Sequence, residues 1–332
     1  MKRMFIKTLV AAVALAAFGG AYAQTKTIKF ANQNAKGHPI ILGMEKFAEI
    51  VEAKSGGKMK VNVFPGGALG SDQANVSALQ GGTLEMASMN SGIFANVVKD
   101  FAIYDFPFLF GNPKEADAVV DGPFGKSLHA KLEEKGMHGL AYYELGFRQI
   151  TNSKRPITKV EDIAGLKLRV IPNPINVDWV SALGANPTPM PFPELYAALE
   201  QKAVDGQENP YATINGAKFY EVQKHLAITN HQYNPQSVVI SKKFWDSLSA
   251  DEKKIVQDAA TESAKYQREQ SRSAAAGILD NLKKNGMQVT ELPPAEVAKL
   301  REKMAPVIAK HSASVGDATV KAVMAELDKV RK

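Results

Sequence analysis

Apolar positions along this chain switch repeatedly between the two-residue alternation of strands and the three-to-four-residue spacing of helices. Thr27-Ile28-Lys29-Phe30-Ala31 reads as a strand and gives way to polar Asn32-Gln33-Asn34. Pro39 suits the first turn of a helix, where its missing N–H costs nothing. Ile40, Met44, Phe47 and Val51 then recur at helical spacing until Gly56-Gly57. Lys58-Met59-Lys60-Val61-Asn62-Val63-Phe64 alternates like a half-buried strand. Ser71 can cap a helix that stops at Gly81-Gly82, ahead of strand-like Leu84-Glu85-Met86-Ala87-Ser88-Met89. A second series runs from Gly139-Leu140-Ala141-Tyr142-Tyr143-Glu144 through Leu166-Lys167-Leu168-Arg169-Val170 to a helix over 193–202. Strands separated by helices predict βαβ units and largely parallel sheets.

Ser249 with Glu252 three residues on forms a capping box, and helix-compatible sequence continues to Gly286. About 36 residues at 1.5 Å each would reach roughly 54 Å, longer than one small domain. The pattern allows either one spine running along two lobes or two shorter helices broken near Gly277. No repeat, low-complexity tract or Ser/Gly-rich linker divides the chain, which fits two α/β lobes packed closely together.

The first residues change where the protein is expected to work. Lys2, Arg3 and Lys7 precede an apolar run from Leu9 to Phe18, and Ala21-Tyr22-Ala23 follows. This is the pattern of a secretory signal peptide over 1–23, with the mature chain starting near Gln24 in the periplasm. The 332 residues include 0 Cys, which suits an oxidising compartment. The formal charge of +7 falls to 7 − 3 = +4 without the three N-terminal cations. Lys and Glu are interleaved, as in Lys131-Leu132-Glu133-Glu134-Lys135, so the excess reads as a solvated surface and not as a nucleic-acid stripe.

Catalytic signatures fail one after another. Gly125-Lys126-Ser127 resembles the end of a phosphate-binding loop, but the required glycine five residues earlier is Val120. There is no G-x-S-x-G, G-x-G-x-x-G or H-E-x-x-H, and the six His are scattered without ligand spacing. We therefore expect no enzyme, no metal and no cofactor. More telling are polar residues where strands end: Arg148, Arg169 and Asn209. Arg169 alternates with Leu166, Leu168 and Val170, so burying the apolar side turns its guanidinium the other way. The crevice beyond strand C-termini is the usual ligand site of open α/β sheets, and an arginine there can grip a carboxylate through two parallel hydrogen bonds.

Several segments carry a family resemblance. Gly146-Phe147-Arg148-Gln149-Ile150-Thr151-Asn152, Gly165-Leu166-Lys167-Leu168-Arg169-Val170, Gly184-Ala185-Asn186-Pro187-Thr188-Pro189-Met190 and Ala203-Val204-Asp205-Gly206-Gln207-Glu208-Asn209-Pro210 resemble the DctP-type solute-binding proteins of TRAP (tripartite ATP-independent periplasmic) transporters. The resemblance implies an α/β fold of two periplasmic-binding-protein domains with a ligand cleft between them and one long helix spanning both. On that basis we place domain I at 24–146 plus 235–275 and domain II at 147–234 plus 276–332. It also implies an integral-membrane TRAP permease as partner, and we expect a monomer that binds no nucleic acid.

Carried over by position, Arg169 is the ligand-carboxylate arginine, Arg148 a second cationic contact and Asn209 the residue that completes the clamp. Gln33, Asn34, Asp72, Asn90 and Phe192 match further pocket positions. A further arginine of the sialic-acid branch is replaced here by Ile93, which argues against that ligand. With Asn173, Tyr211 and His38 added, the expected lining is rich in amides and hydroxyls, which suits a sugar acid such as a hexuronate or an aldonate. A C4-dicarboxylate or another hydroxy- or keto-acid is the alternative, with Arg148 holding the second carboxylate. A secreted enzyme acting on a carboxylate is the rival from another class, with Glu208, Asp72 or His38 as its acid or base.

Overall fold

The strands divide into two sheets. The computed structural model describes residues 25–331, so the expected signal peptide lies outside the described residues. In chain order the strands are β1 (Lys26–Ala31), β2 (Met59–Phe64), β3 (Met86–Asn90), β4 (Met137–Phe147), β5 (Gln149–Asn152), β6 (Lys167–Val170), β7 (Asn186–Pro189), β8 (Gly206–Asn209), β9 (His225–Ile228), β10 (Tyr233–Ser241) and β11 (Gln288–Glu291). The first sheet has the order β2-β1-β3-β10-β4 and the second β11-β9-β5-β8-β6-β7. All pairings in the first are parallel except those of β10, and all in the second except those of β5. These two are the strands by which the chain arrives after crossing between lobes. Arg148 is the single residue between β4 and β5, and residues 229–232 make the return from β9 to β10.

Helices α1 (Pro39–Lys54), α2 (Asp72–Gly81), α3 (Pro113–Asp121) and α4 (Pro123–Lys131) flank the first sheet. Helices α5 (Pro174–Ala182), α6 (Leu195–Glu200) and α7 (Tyr211–Gly216) belong to the second, and α8 (Lys242–Asp246) follows β10. The third connection is α9 (Ala250–Lys284), one unbroken helix of 35 residues. Its start is the expected capping box: Ser249 Oγ accepts from Glu252 N (3.2 Å) and Glu252 Oε2 from Ser249 N (2.7 Å). Gly277 does not break it, because a helical glycine costs only about 1 kcal/mol and its neighbours carry the run.

The spine grips both lobes. Val256, Ala259 and Ala260 pack into the first lobe's core with Phe30, Phe47 and Tyr143. Leu282 joins the second lobe's cluster around Leu195, Ile214 and Phe219. Gly43 lets α1 approach closely, since a Cβ there would stand 2.6 Å from Gln267 Cβ. Gln267 in turn accepts from Glu144 N (2.7 Å) and donates to Glu144 O (2.8 Å), fixing the end of β4 just before the crossing. A third cluster runs behind both sheets, from Phe94, Phe101 and Ile103 to Ile163, Trp179, Leu300 and Met304. The last helices, α10 (Pro294–Val315) and α11 (Asp317–Val330), close this region, and α11 lies on α3 and α4 of the first lobe.

Candidate functional site

A cavity opens between the lobes where the strands end, with about 510 Å³ of atom-free space between its walls when the open solvent at its mouth is included. Gln33, Asn34, Asp72 and Asn90 line it from the first lobe; Arg169, Phe192 and Asn209 line it from the second, and Arg148 from the crossing. The sequence thus places eight of its eleven candidates on one wall system.

The other three lie elsewhere, each for a local reason. His38 is the residue before Pro39 and caps α1, its Nδ1 accepting from Ile40 N (3.1 Å). Asn173 holds the corresponding place before Pro174 and donates to Asp105 Oδ2 (2.7 Å), behind the cavity. Tyr211 faces a different cavity, with Phe147 and Ala275. Sequence reasoning also missed Asn32, Thr213 and Gln236, which do line the site. Asn32 stood in the quoted polar triplet; nothing local marks Thr213 or Gln236.

Arg169 is 2% exposed, yet among the described residues its only acceptor is one carbonyl. Nε (2.9 Å) and Nη2 (2.7 Å) both donate to Met190 O, and Nη1 has no partner. Burial lowers the guanidinium to about 10, so it stays charged at neutral pH. Because Met190 O occupies the Nε–Nη2 edge, the Nη1–Nη2 end is what remains for an anion. Phe192 covers this group, its ring centroid 5.9 Å from Arg169 Cζ.

Arg148 is a different case. It is fully buried, donates through Nε and Nη2 to the Glu208 carboxylate and through Nη1 to Asn234 Oδ1 (2.9 Å). Its backbone N–H donates to Gln232 O (2.8 Å), so one residue ties the two outer crossings together. Burial alone would raise the Glu208 carboxyl, but the charge and hydrogen bonds of Arg148, with His231 Nε2 3.3 Å from Oε2, hold it down at about 2. This ion pair is complete without a ligand.

The first lobe supplies neutral polar groups held by one another. Asn32 Oδ1 accepts from Asn34 N (2.7 Å) and Nδ2 (3.0 Å), while Asn32 Nδ2 donates to Ser88 O (2.6 Å) and Gln236 Oε1 (3.0 Å). Three buried atoms here lack a partner: Gln33 Oε1, Asp72 Oδ1 and Asn90 Nδ2. Asp72 as a residue is half-buried, but its Oδ1 is sealed from solvent, and burial pushes the carboxyl up to about 7 against the pull of Arg169 and Gln33.

The lobes also touch across the cleft. Thr213 Oγ1 donates to Asn34 Oδ1 (3.3 Å) and lies 3.3 Å from His38 Nε2. Because His38 Nδ1 accepts, Nε2 carries the hydrogen and Thr213 receives it. Burial lowers the imidazole to about 3, so this relay is neutral.

Among the described residues no group of three or more His, Asp or Glu could hold a metal ion, and no helix is long and apolar enough to cross a membrane. The family model described as bacterial extracellular solute-binding protein, family 7 (DctP) matches residues 30–314. The chain is 36% identical over 275 residues to the 2,3-diketo-L-gulonate-binding periplasmic protein of Escherichia coli, covering 83% of this chain and 84% of that protein. It is 55% identical to a TRAP periplasmic solute binding protein from Ochrobactrum anthropi with the C-terminus bound in the ligand-binding pocket (TM-score 0.83; 93% and 97% of the two chains). It is 44% identical to the sugar acid binding protein of Advenella mimigardefordensis in complex with galactonate (TM-score 0.90; 92% and 99%).

Proposed function

The chain belongs to the bacterial extracellular solute-binding proteins of family 7, and on that premise we propose that it is a periplasmic receptor for a hydroxylated monocarboxylate, a sugar acid of the hexuronate or aldonate type. It would pass this ligand to the membrane permease of a TRAP transporter. The observation that carries the reading is the Arg169 Nη1 group: a buried cation with an unfilled hydrogen-bonding position, in a cavity whose polar lining is mainly amides, beside Asp72, Thr213 and apolar Ile93, Leu145 and Ile171. Buried polar groups without partners are costly, about 1–3 kcal/mol each and more when charged, so a matching ligand gains by filling them. Galactonate and 2,3-diketo-L-gulonate, named for two similar proteins, are both of this chemical class.

Binding needs no reaction. The ligand carboxylate docks on the Nη1–Nη2 end of Arg169, and its polar chain reaches the amides of Gln33, Asn90 and Asn209. Closure then seals the site through Asn34 and Thr213. A C4-dicarboxylate fits less well, because Arg148, the cation assigned to its second carboxylate, is already matched by Glu208. Two of the three acid–base candidates of the enzyme reading are unsuited to it: Glu208 at about 2 accepts no proton near neutrality, and His38 at about 3 is occupied as a helix cap. Asp72, at about 7 on the cavity wall, is the one that the turnover test below addresses.

Titration calorimetry against galactonate, glucuronate, galacturonate, succinate and a keto acid tests this. A sugar acid should bind tightest and be recovered unchanged by mass spectrometry. Tighter binding of succinate, or turnover of any of these acids, would overturn the reading.

A further inference from the structure

Resting on that reading, we propose that Gln223, Thr151 and Gln207 are positioning residues: a buried relay of hydrogen bonds through the second lobe that fixes which way the Asn209 amide faces the ligand. Gln207 and Asn209 stand two apart on β8, and Thr151 is the register partner of Gln207 on β5, so the three side chains leave one face of the sheet together. All three are buried, as is Gln223, and of the four Asn209 alone lines the ligand cavity.

The direction of the relay is set at its far end. Gln223 Nε2 donates to two backbone carbonyls, Val222 O (3.0 Å) and Asp205 O (3.3 Å), which accept and never donate. Both of its hydrogens are engaged there, so Gln223 Oε1 must receive, and it takes the one hydroxyl hydrogen of Thr151 (2.9 Å). Thr151 Oγ1 can then only accept, which it does from Gln207 Nε2 (2.8 Å). That turns Gln207 Oε1 toward Asn209, whose Nδ2 donates to it (2.6 Å). One Asn209 hydrogen is thereby committed, and Oδ1 with the other hydrogen remains for the cavity in a fixed sense. A flipped Asn209 would set its oxygen against the Gln207 oxygen, two acceptors with no hydrogen between them in a water-free interior. A ligand bearing several hydroxyls depends on that sense, because a mismatch leaves buried groups unpaired.

The test titrates galactonate calorimetrically into the full chain, Thr151→Val, Thr151→Ser and Gln223→Met, each also on an Asn209→Ala background, with unfolding midpoints read alongside. Thr151→Val removes the hydroxyl and should weaken binding about fivefold or more, while Thr151→Ser keeps it and should bind like the wild type. Gln223→Met cuts the relay at the end farthest from the ligand and should repeat the loss, so the test stands even where Thr151→Val does not fold. On Asn209→Ala the same changes should shift affinity less than about twofold, because the relay then has no amide to orient. Lowered midpoints with unchanged affinity, or an equal loss of affinity with and without the Asn209 amide, would reduce the relay to packing and overturn the proposal. Asn209→Ala binding galactonate as tightly as the wild type would instead bring down the placing of Asn209 against the ligand.

Discussion

Arg148 and Arg169 stand in neighbouring parts of one site, both sealed from solvent, and their surroundings differ in kind. Around Arg148 the protein supplies a carboxylate, an amide oxygen and a backbone carbonyl, so every side of the guanidinium is answered. Around Arg169 it supplies one carbonyl and stops. The difference teaches that a buried arginine in a binding cleft is assigned by what it lacks. Arg148 knits the two outer crossings; Arg169 keeps a buried guanidinium nitrogen without a partner, the feature on which its proposed anion-binding role rests.

The comparison breaks most visibly on the Arg148 side. Arg148→Met leaves Glu208 buried and uncompensated, which should cost about 3–5 kcal/mol of folding stability. Urea unfolding without ligand reads this loss, and a change below 1 kcal/mol would place Arg148 with the ligand after all. Thr213→Val removes the hydroxyl that joins Asn34 and His38 across the cleft. About 1 kcal/mol of closed-state stability should go, seen as roughly fivefold faster ligand release in stopped flow.

The two sides also titrate oppositely. Glu208, held at about 2 against an ordinary 4.5, contributes stability that is present above about pH 4.5 and lost as pH falls toward 2. Asp72, raised from 3.8 to about 7, keeps its proton better folded than unfolded, so stability declines as pH rises from about 4 to about 7. Asp72→Asn should flatten that second slope in thermal melts of the unliganded protein and leave the acid limb alone.

Much of this architecture is legible in the sequence because it is encoded locally. The period changes mark β1, α1, β2 and α2, and Ser249 with Glu252 announces the start of a long helix, while its passage through Gly277 is fixed by the packing and not by the pattern. Arg169 is legible too, since alternation with Leu168 and Val170 turns it off the apolar face. What stays hidden is pairing at a distance. Glu208 meets Arg148 only because β5 and β8 lie side by side, with Ile150 opposite Glu208, and Asn234 comes from the start of β10. Thr213 reaches Asn34 across 179 residues. His38 and Asn173 were readable differently: each precedes a proline that opens a helix, the position of a cap, and the cap is what the structure makes of His38.

One measurement bears most directly on the contrast between the two arginines: calorimetric titration of Arg169→Lys with the tightest sugar acid, beside its urea unfolding curve. An ammonium cannot hold Met190 O and still present a two-pronged edge to a carboxylate. Affinity should fall by about 2–5 kcal/mol, or roughly 30- to several-thousand-fold, with folding stability within about 1 kcal/mol of the wild type. Full affinity in that variant, or a stability loss as large as that of Arg148→Met, would contradict the account.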